Sequence, residues 1–461
     1  MQNTNKKTEY AYGFSDEDTS KVSIEKGLTI DTIKKISKLK SEPKWMLDIR
    51  LKAYAKFLEI PNPAWGPDLS FINFNDYQYY SSPIDKEPNT WEDIPEKIKD
   101  TFNKLGVGAQ EARFFSGVNN QYDSESIYHE LEQELEQKKV IFTNIETAMK
   151  THPDLVKKYF GKLVDYADNK YAALNTAVWS GGSFIYIPKG VVLSKPLQAY
   201  FRINKKSVGQ FERTLIIADE NSKLHYVEGC TAPVYDKNNL HAAVVEVFVE
   251  KNAKCRYSTI QNWSDNVLNL VTKRATVKKD GLMEWIDGNL GSKLNMKYPC
   301  TVLAEEGASG KCISIAVAHA GVIQDAGAKM IHLAPNTKSQ IISKSIAHGG
   351  GEANYRGTVK ISKKAINSLA DIRCDTILLD SLSKSDTFPI DIIENEQSFL
   401  KHEAKVTQLD EEKMFYAKSR GIDSEKARHL LVMGFIEPFT NELPMEYAVE
   451  LNRLLGIDIA S

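Results

Sequence analysis

AAVVEVFVEKNAKCRYSTIQNW, residues 242–263, decides the fold. Its first half is rich in β-branched residues, its second half alternates, and a turn-forming K-N-A-K stands between them. The N-A-K-C at 252–255 has counterparts in N-S-K-L at 221–224, D-G-L-M at 280–283 and N-T-K-S at 336–339. Small or turn-forming residues recur at Gly190, Asn221, Asn252, Asp280, Gly307, Asn336 and Ala365. Subtraction gives intervals of 27 to 31 residues. A fixed period with strands on both sides of a turn marks stacked repeats, in which each coil buries its face only on its neighbours. The spacing predicts a β-solenoid; a large β-sandwich with regular turns is the alternative.

The flanks read differently. Residues 23–60 place Ile30, Ile33, Ile36, Met46, Ile49, Leu51, Tyr54 and Phe57 at helical spacing. Pro43 suits the start of the second helix. Asn62-Pro63, Pro67 and Pro83 mark a linker-like run, and helical patterns return at 91–106, 125–140 and 155–160. After Leu409, three more helical segments follow, with Asp410 and Asp423 at N-cap positions. The expected division is a mostly helical domain over 1–170, a mainly β core over 171–408 and a C-terminal helical domain over 409–461.

Composition excludes several classes. The 461 residues carry a net charge of -2, without the basic excess that nucleic acid demands. No stretch approaches the length of a membrane span, and the first residues lack a signal-peptide core, so a cytoplasmic location is expected. The five cysteines, Cys230, Cys255, Cys300, Cys312 and Cys374, are odd in number and dispersed, which fits reduced thiols. There is no P-loop, no G-x-S-x-G and no H-E-x-x-H. HGGG at 348–351 reads as a tight turn between coils.

Cys374, His402 and Glu403 form a sulfur, nitrogen and oxygen set suited to a soft-to-borderline metal, but no second cysteine stands nearby. Period-2 alternation puts Cys374 on one face with Ala370, Ile372, Thr376 and Leu378, an apolar and therefore inner face. A buried structural thiol is the plainer reading. Adjacent His402 and Glu403 point oppositely in an ideal strand, so both reach one metal only at a strand end or bend. Cys230 lies at a bend in HYVEGCTAPVY, with His225 and His241 as candidate neighbours. Cys255, Tyr257, Thr259, Gln261 and Trp263 share a face, either a hydrogen-bonded core ladder or a polar-lined path. Ala427, Leu430, Leu431 and Phe435 form an apolar stripe.

HYVEGCTAP, LHAAVVEVFV, YSTIQNWS, HGGGEANYRG, ADIRCD, HEAKV and ELPMEYAVELNRLL together resemble the SufB/SufD family of the SUF iron–sulfur cluster assembly system, over nearly the whole chain. The resemblance implies a right-handed parallel β-helix between helical domains. It implies a non-enzymatic scaffold with a transient cluster at Cys374, His402 and Glu403, and sulfur accepted as persulfide at Cys230. It further implies an internal route lined by Arg202, Asn204, Gln261, Trp263 and Lys279. Implied partners are the ATPase SufC, docking at Ala427, Leu430, Leu431, Phe435 and Phe439, and SufD or a second SufB. A cysteine desulfurase with a SufE- or SufU-type carrier supplies sulfur in the family, and a reduced flavin can join the complex. The C-terminal docking face has packing within its own domain as its alternative. The EGC and RCD cysteines and the HE pair fit the SufB scaffold branch better than a SufD-like structural subunit. A carbohydrate-active β-helix enzyme is the rival from another class, and the cysteine placement speaks against it.

Overall fold

A computed structural model describes residues 21–83, 96, 98–100, 115–203, 208–232, 238–409, 411–443 and 448. The centre is a parallel β-solenoid whose coils contribute alternately to two sheets. One sheet stacks, among others, Lys223–Thr231, Lys254–Trp263, Leu282–Gly291, Ser309–Ala318, Lys338–Ala347, Leu369–Leu378 and Phe399–Gln408. The other stacks Arg213–Ala218, Val244–Val249, Val267–Val277, Ile323–His332, Glu352–Ile361 and Thr387–Ile393, with shorter strands between. Their inward side chains meet in one long core that includes Tyr226, Tyr257, Trp285, Ile341, Ile372 and Val359.

The recurring turns set the period. Gly190, Asn221, Asn252, Asp280, Gly307 and Asn336 all adopt left-handed backbone conformations, with φ between 55° and 75°. Asn and Asp tolerate this region because a short polar side chain bonds locally, and Gly because it has no Cβ. The corners then stack: Asn221 N–H donates to Lys251 O, Asn252 to Lys279 O, Asp280 to Glu306 O and Asn336 to Ile366 O. The last corner corrects the sequence reading. Asn367, not Ala365, is left-handed (φ 55°), while Ala365 is fully buried beside it. The period located the corner; asparagine's tolerance of positive φ chose the residue. Replacing Asn336 by Val should cost about 1–2 kcal/mol, whereas Asn336→Gly should stay close to the parent. Urea unfolding checks this, and equal midpoints for Val and Gly would refute the corner's role. Gly349 and Gly350 are also left-handed, which makes HGGG the tight turn expected.

The N-terminal helices Ile30–Leu39 and Lys44–Glu59 form as the periodicity indicated, capped by Thr29 and preceded by Pro43. Ile33, Ile36, Ala53 and Phe57 share one buried cluster with Leu174 and Ala177 of helix Lys170–Val178 and with Leu268, Leu270 and Leu294 of the solenoid. Residues 125–140 depart from the helical expectation. Glu125–Leu131 is a strand, antiparallel to Gly117–Tyr122, and only Gln133–Gln137 is helical. The hairpin extends the solenoid sheet: Gly117–Tyr122 pairs in parallel with Leu197–Arg202. Sheet pairing here overrides the local propensity of a Glu- and Gln-rich segment. The helical segments expected at 91–106 and 444–457, and the cap at Asp410, lie largely or wholly outside the described residues.

At the C-terminal end, Ser424–Thr440 forms a helix capped by Asp423, whose side chain accepts from Lys426 N–H. Val432, Ile436 and Phe439 pack on Ile260, Ile286, Ile313 and Ile315 of the solenoid's outer face. Thr387–Ile393 and Phe399–Gln408 are the terminal rungs of the two sheets. They leave Phe388, Ile390, Ile392, Phe399 and Val406 exposed. Among the described residues no helix is long and apolar enough to cross a membrane.

Candidate functional site

Strand Leu369–Leu378 alternates as its sequence indicated. Ala370, Ile372, Cys374 and Thr376 are buried, and Arg373 is exposed. Parallel pairing puts Ile372 beside His402 on the terminal rung. The Cys374 sulfur consequently lies 3.9 Å from His402 Nε2. His402 Nδ1 stands 2.8 Å from an Asp391 carboxylate oxygen. That contact assigns the proton to Nδ1 and leaves the Nε2 lone pair toward sulfur, the carboxylate–histidine arrangement of metal ligands. Burial pushes the Cys374 thiol up to about 12, against the opposing effect of the Tyr355 hydroxyl.

Glu403 does not join this pair. Phe399–Gln408 runs through His402 and Glu403 in unbroken register, so the two side chains leave on opposite faces. Glu403 pairs with Arg373 across the ladder and forms a 2.8 Å ion pair with Lys401, its carboxylate largely in solvent. The strand end or bend needed to bring it to Cys374 is absent. Asp391, from the facing sheet, is the carboxylate beside His402. Among the described residues, no group of three or more His, Cys, Asp or Glu side chains is arranged to hold a metal ion.

Cys230 is also buried and inward-facing. Its thiol donates to Glu228 Oε1 at 3.8 Å. Tyr257 donates its hydroxyl to Glu228 Oε2. Burial first, then the Glu228 and Glu212 carboxylates, hold the thiol well above its ordinary range, while Lys273 and Lys297 act the other way. His241 shares this interior: Nε2 meets Glu212 at 2.7 Å, and the ring lies 4.8 Å from that of Trp263. His225 does not. An odd residue separation puts it on the other face, 2.9 Å from Ser258, and burial lowers it to about 4.

Strand register links the two thiols. Glu228 pairs with Thr259, Thr259 with Asp287, Asp287 with Ser314, Ser314 with Ser343, and Ser343 with Cys374. All six are buried. Five strand spacings of ~4.8 Å put the ends of this polar row ~24 Å apart. Lys273 reaches in from the opposite sheet to Thr259 at 2.6 Å and Asp287 at 3.2 Å. Lys297 reaches Asp287 and Gln261, each at 3.1 Å.

Cys255, Tyr257, Thr259, Gln261 and Trp263 do share one buried face. Gln261 is satisfied there, accepting from Asn269 and Lys297. The remaining route residues fare differently. Arg202 is in register with Thr231 and bonds its hydroxyl at 3.2 Å, one residue out of phase with Cys230. Lys279 sits at an exposed corner, 3.6 Å from Glu306, and does not line the interior. Among the described residues, the lysines buried inside the solenoid are Lys273 and Lys297. Asn204 lies outside the described residues. The sequence signal for the missed groups was a charge inside an alternating strand: Glu228 in HYVEGC, Lys273 in LVTKRA and Asp287 in WIDGNL.

The expected docking stripe divides. Ala427 and Phe439 are fully buried, so they are not free for another protein. Leu430 is exposed, and with Leu431, Gly434 and Phe435 it lines a cleft of about 630 Å³ against Asp375, Thr376, Lys405 and Thr407.

Two family models match the chain. One, described as "SUF system FeS cluster assembly, SufBD core domain", covers residues 201–435. The other, "SufBD protein N-terminal region", covers residues 92–199. The relatives include an iron-sulfur cluster assembly SufBD family protein of Staphylococcus aureus (strain USA300). It is 56% identical over 451 residues, covering 98% of this chain and 97% of that protein. The corresponding Staphylococcus haemolyticus (strain JCSC1435) protein has the same identity and coverage.

Proposed function

This chain belongs to the SufBD family of iron–sulfur cluster assembly proteins, and from that premise we propose that it acts as the SufB-type scaffold rather than a SufD-type structural subunit. One observation carries the reading: a buried thiol, Cys374, faces a carboxylate-oriented imidazole, His402, at the far end of the polar row that begins beside Cys230. In this reading Cys230 takes up sulfur as persulfide, the interior shields it in passage, and Cys374 and His402 hold iron with the sulfide formed when a two-electron donor, such as the reduced flavin of the family, reduces that sulfur. The cluster is cargo. Two ligands from one chain hold it less firmly than four thiolates, which favours release.

The terminal rungs support a partner at this end. Edge strands with exposed Phe388, Ile390 and Phe399 invite pairing with another sheet, and a SufD or second SufB solenoid fits. That partner would also supply the ligands Glu403 does not. SufC docks on the outward part of the C-terminal helix, around Leu430, and performs the ATP hydrolysis. A desulfurase with its SufE- or SufU-type carrier delivers sulfur.

Anaerobic mixing of the purified chain with ferrous iron and sulfide should give a cluster chromophore. A chain that binds SufC yet takes up no iron or sulfide would be the SufD-type subunit.

A further inference from the structure

We propose that Glu228 is the general base that ionises the Cys230 thiol for sulfur uptake. The inference rests on the reading of Cys230 as sulfur acceptor. Three contacts carry it. The Cys230 thiol points at Glu228 Oε1. Tyr257 fixes the carboxylate through Oε2 and leaves Oε1 free for the thiol. Lys273 lies 4.4 Å from the centre of the Tyr257 ring, so a cation stands close enough to compensate new negative charge. The charged and titratable groups acting on this pair are Lys273 and Lys297 from the facing sheet, Glu212 and His241 from the same end of the interior, and Tyr257 from the next coil.

A thiol this buried is a poor nucleophile because only its thiolate attacks. Burial raises Glu228 as well, with Lys273 and Tyr257 opposing the rise, and a raised carboxyl is a stronger base once ionised. In the step, Glu228 carboxylate takes the Cys230 proton. The thiolate attacks the terminal sulfur of a donor persulfide, RS–SH. A sulfur–sulfur bond forms to Cys230 as the donor's own breaks, and the donor leaves as RS⁻ with the electron pair. The products are Cys230–S–SH, RS⁻ and protonated Glu228, so atoms and charge balance and no external oxidant is needed.

The full chain is treated anaerobically with cysteine persulfide, and sulfur on Cys230 is followed by mass spectrometry over a pH series. The loading rate of the parent should rise with pH along a limb set by Glu228. Glu228→Gln, which keeps an acceptor for Tyr257, should load about 100-fold more slowly or worse and lose that limb. Glu228→Asp should recover part of both. If Glu228→Gln keeps the parental rate and profile, Glu228 is not the base, although the acceptor reading stands. If both variants are equally slow with the parental pH limb intact, Glu228 is structural and the proposal is overturned. If the parent loads no more than Cys230→Ser, the acceptor reading falls, and the proposal with it.

Discussion

Cys374→Ser is expected to abolish cluster uptake and keep the fold. The parent, reconstituted anaerobically, is expected to hold iron and sulfide with a visible chromophore, and the variant to hold neither. Serine matches the thiol in shape on a buried position whose neighbours are Ser343 and Ala404, so the solenoid has little to lose. His402→Ala should be nearly as severe, because Nε2 is the donor that faces the sulfur. Asp391→Asn acts chiefly through the imidazole and should weaken retention about 10–100-fold, the usual effect of removing a ligand's supporting carboxylate. Glu403→Gln in the isolated chain should change little, since its carboxylate points into solvent beside Lys401. Metal and sulfide analysis of the four variants, with circular dichroism as the folding control, checks the series. A full iron and sulfide load on Cys374→Ser would end the assignment, and a loss at Glu403→Gln as deep as at His402→Ala would mean that the terminal strand rearranges around the cargo.

The Glu403 prediction shows what could be read in advance. Alternation alone put His402 and Glu403 on opposite faces, whereas their donor chemistry grouped both with Cys374 and the family resemblance reinforced that grouping. The local rule held because Phe399–Gln408 is a regular strand throughout. The same rule placed Cys374 inward and gathered Gln261 with Trp263. Asp391 was not legible, because it comes from the other sheet and meets His402 only when both sit in the last coil. Residues on facing sheets are separated by a corner, and the corner's identity had to be known. The sequence period named no corner after Ala365, so the later one between Thr387–Ile393 and Phe399–Gln408, which brings Asp391 to His402, was never marked. The polar row and its two lysines were hidden for the same reason. Each charge looked like an irregularity in one strand, and only stacking showed them to be neighbours.

Those lysines give the second large effect. Asp287 is the shared anion of Lys273 and Lys297, and all three are essentially buried. Asp287→Asn keeps the shape but strands two ammonium groups in the interior. Breaking a buried pair in this way costs about 3–5 kcal/mol, read as a lower midpoint in urea. Lys297→Met should do the opposite. Burial, and the neighbouring Lys273, lower Lys297 to about 8 even though Asp287 opposes them. Below pH 8 both native and unfolded chains hold the proton, and its burial costs the native state about 3 kcal/mol, from the depression below the ordinary lysine value. Between about 8 and the ordinary lysine value only the unfolded chain binds the proton, so this cost fades as pH rises. The stability advantage of Lys297→Met over the parent should therefore be largest near neutrality and vanish in strong alkali. Taking the difference between the two proteins cancels the buried thiols and tyrosines, which titrate in the same range. An advantage that stays constant with pH would show that Lys297 carries no such penalty. A cation retained at that cost points to a use: with persulfide sulfur supplied only through Cys230, Lys297→Met should pass less sulfane sulfur to Cys374, read as persulfide on that thiol, while still accepting free sulfide with iron as well as the parent.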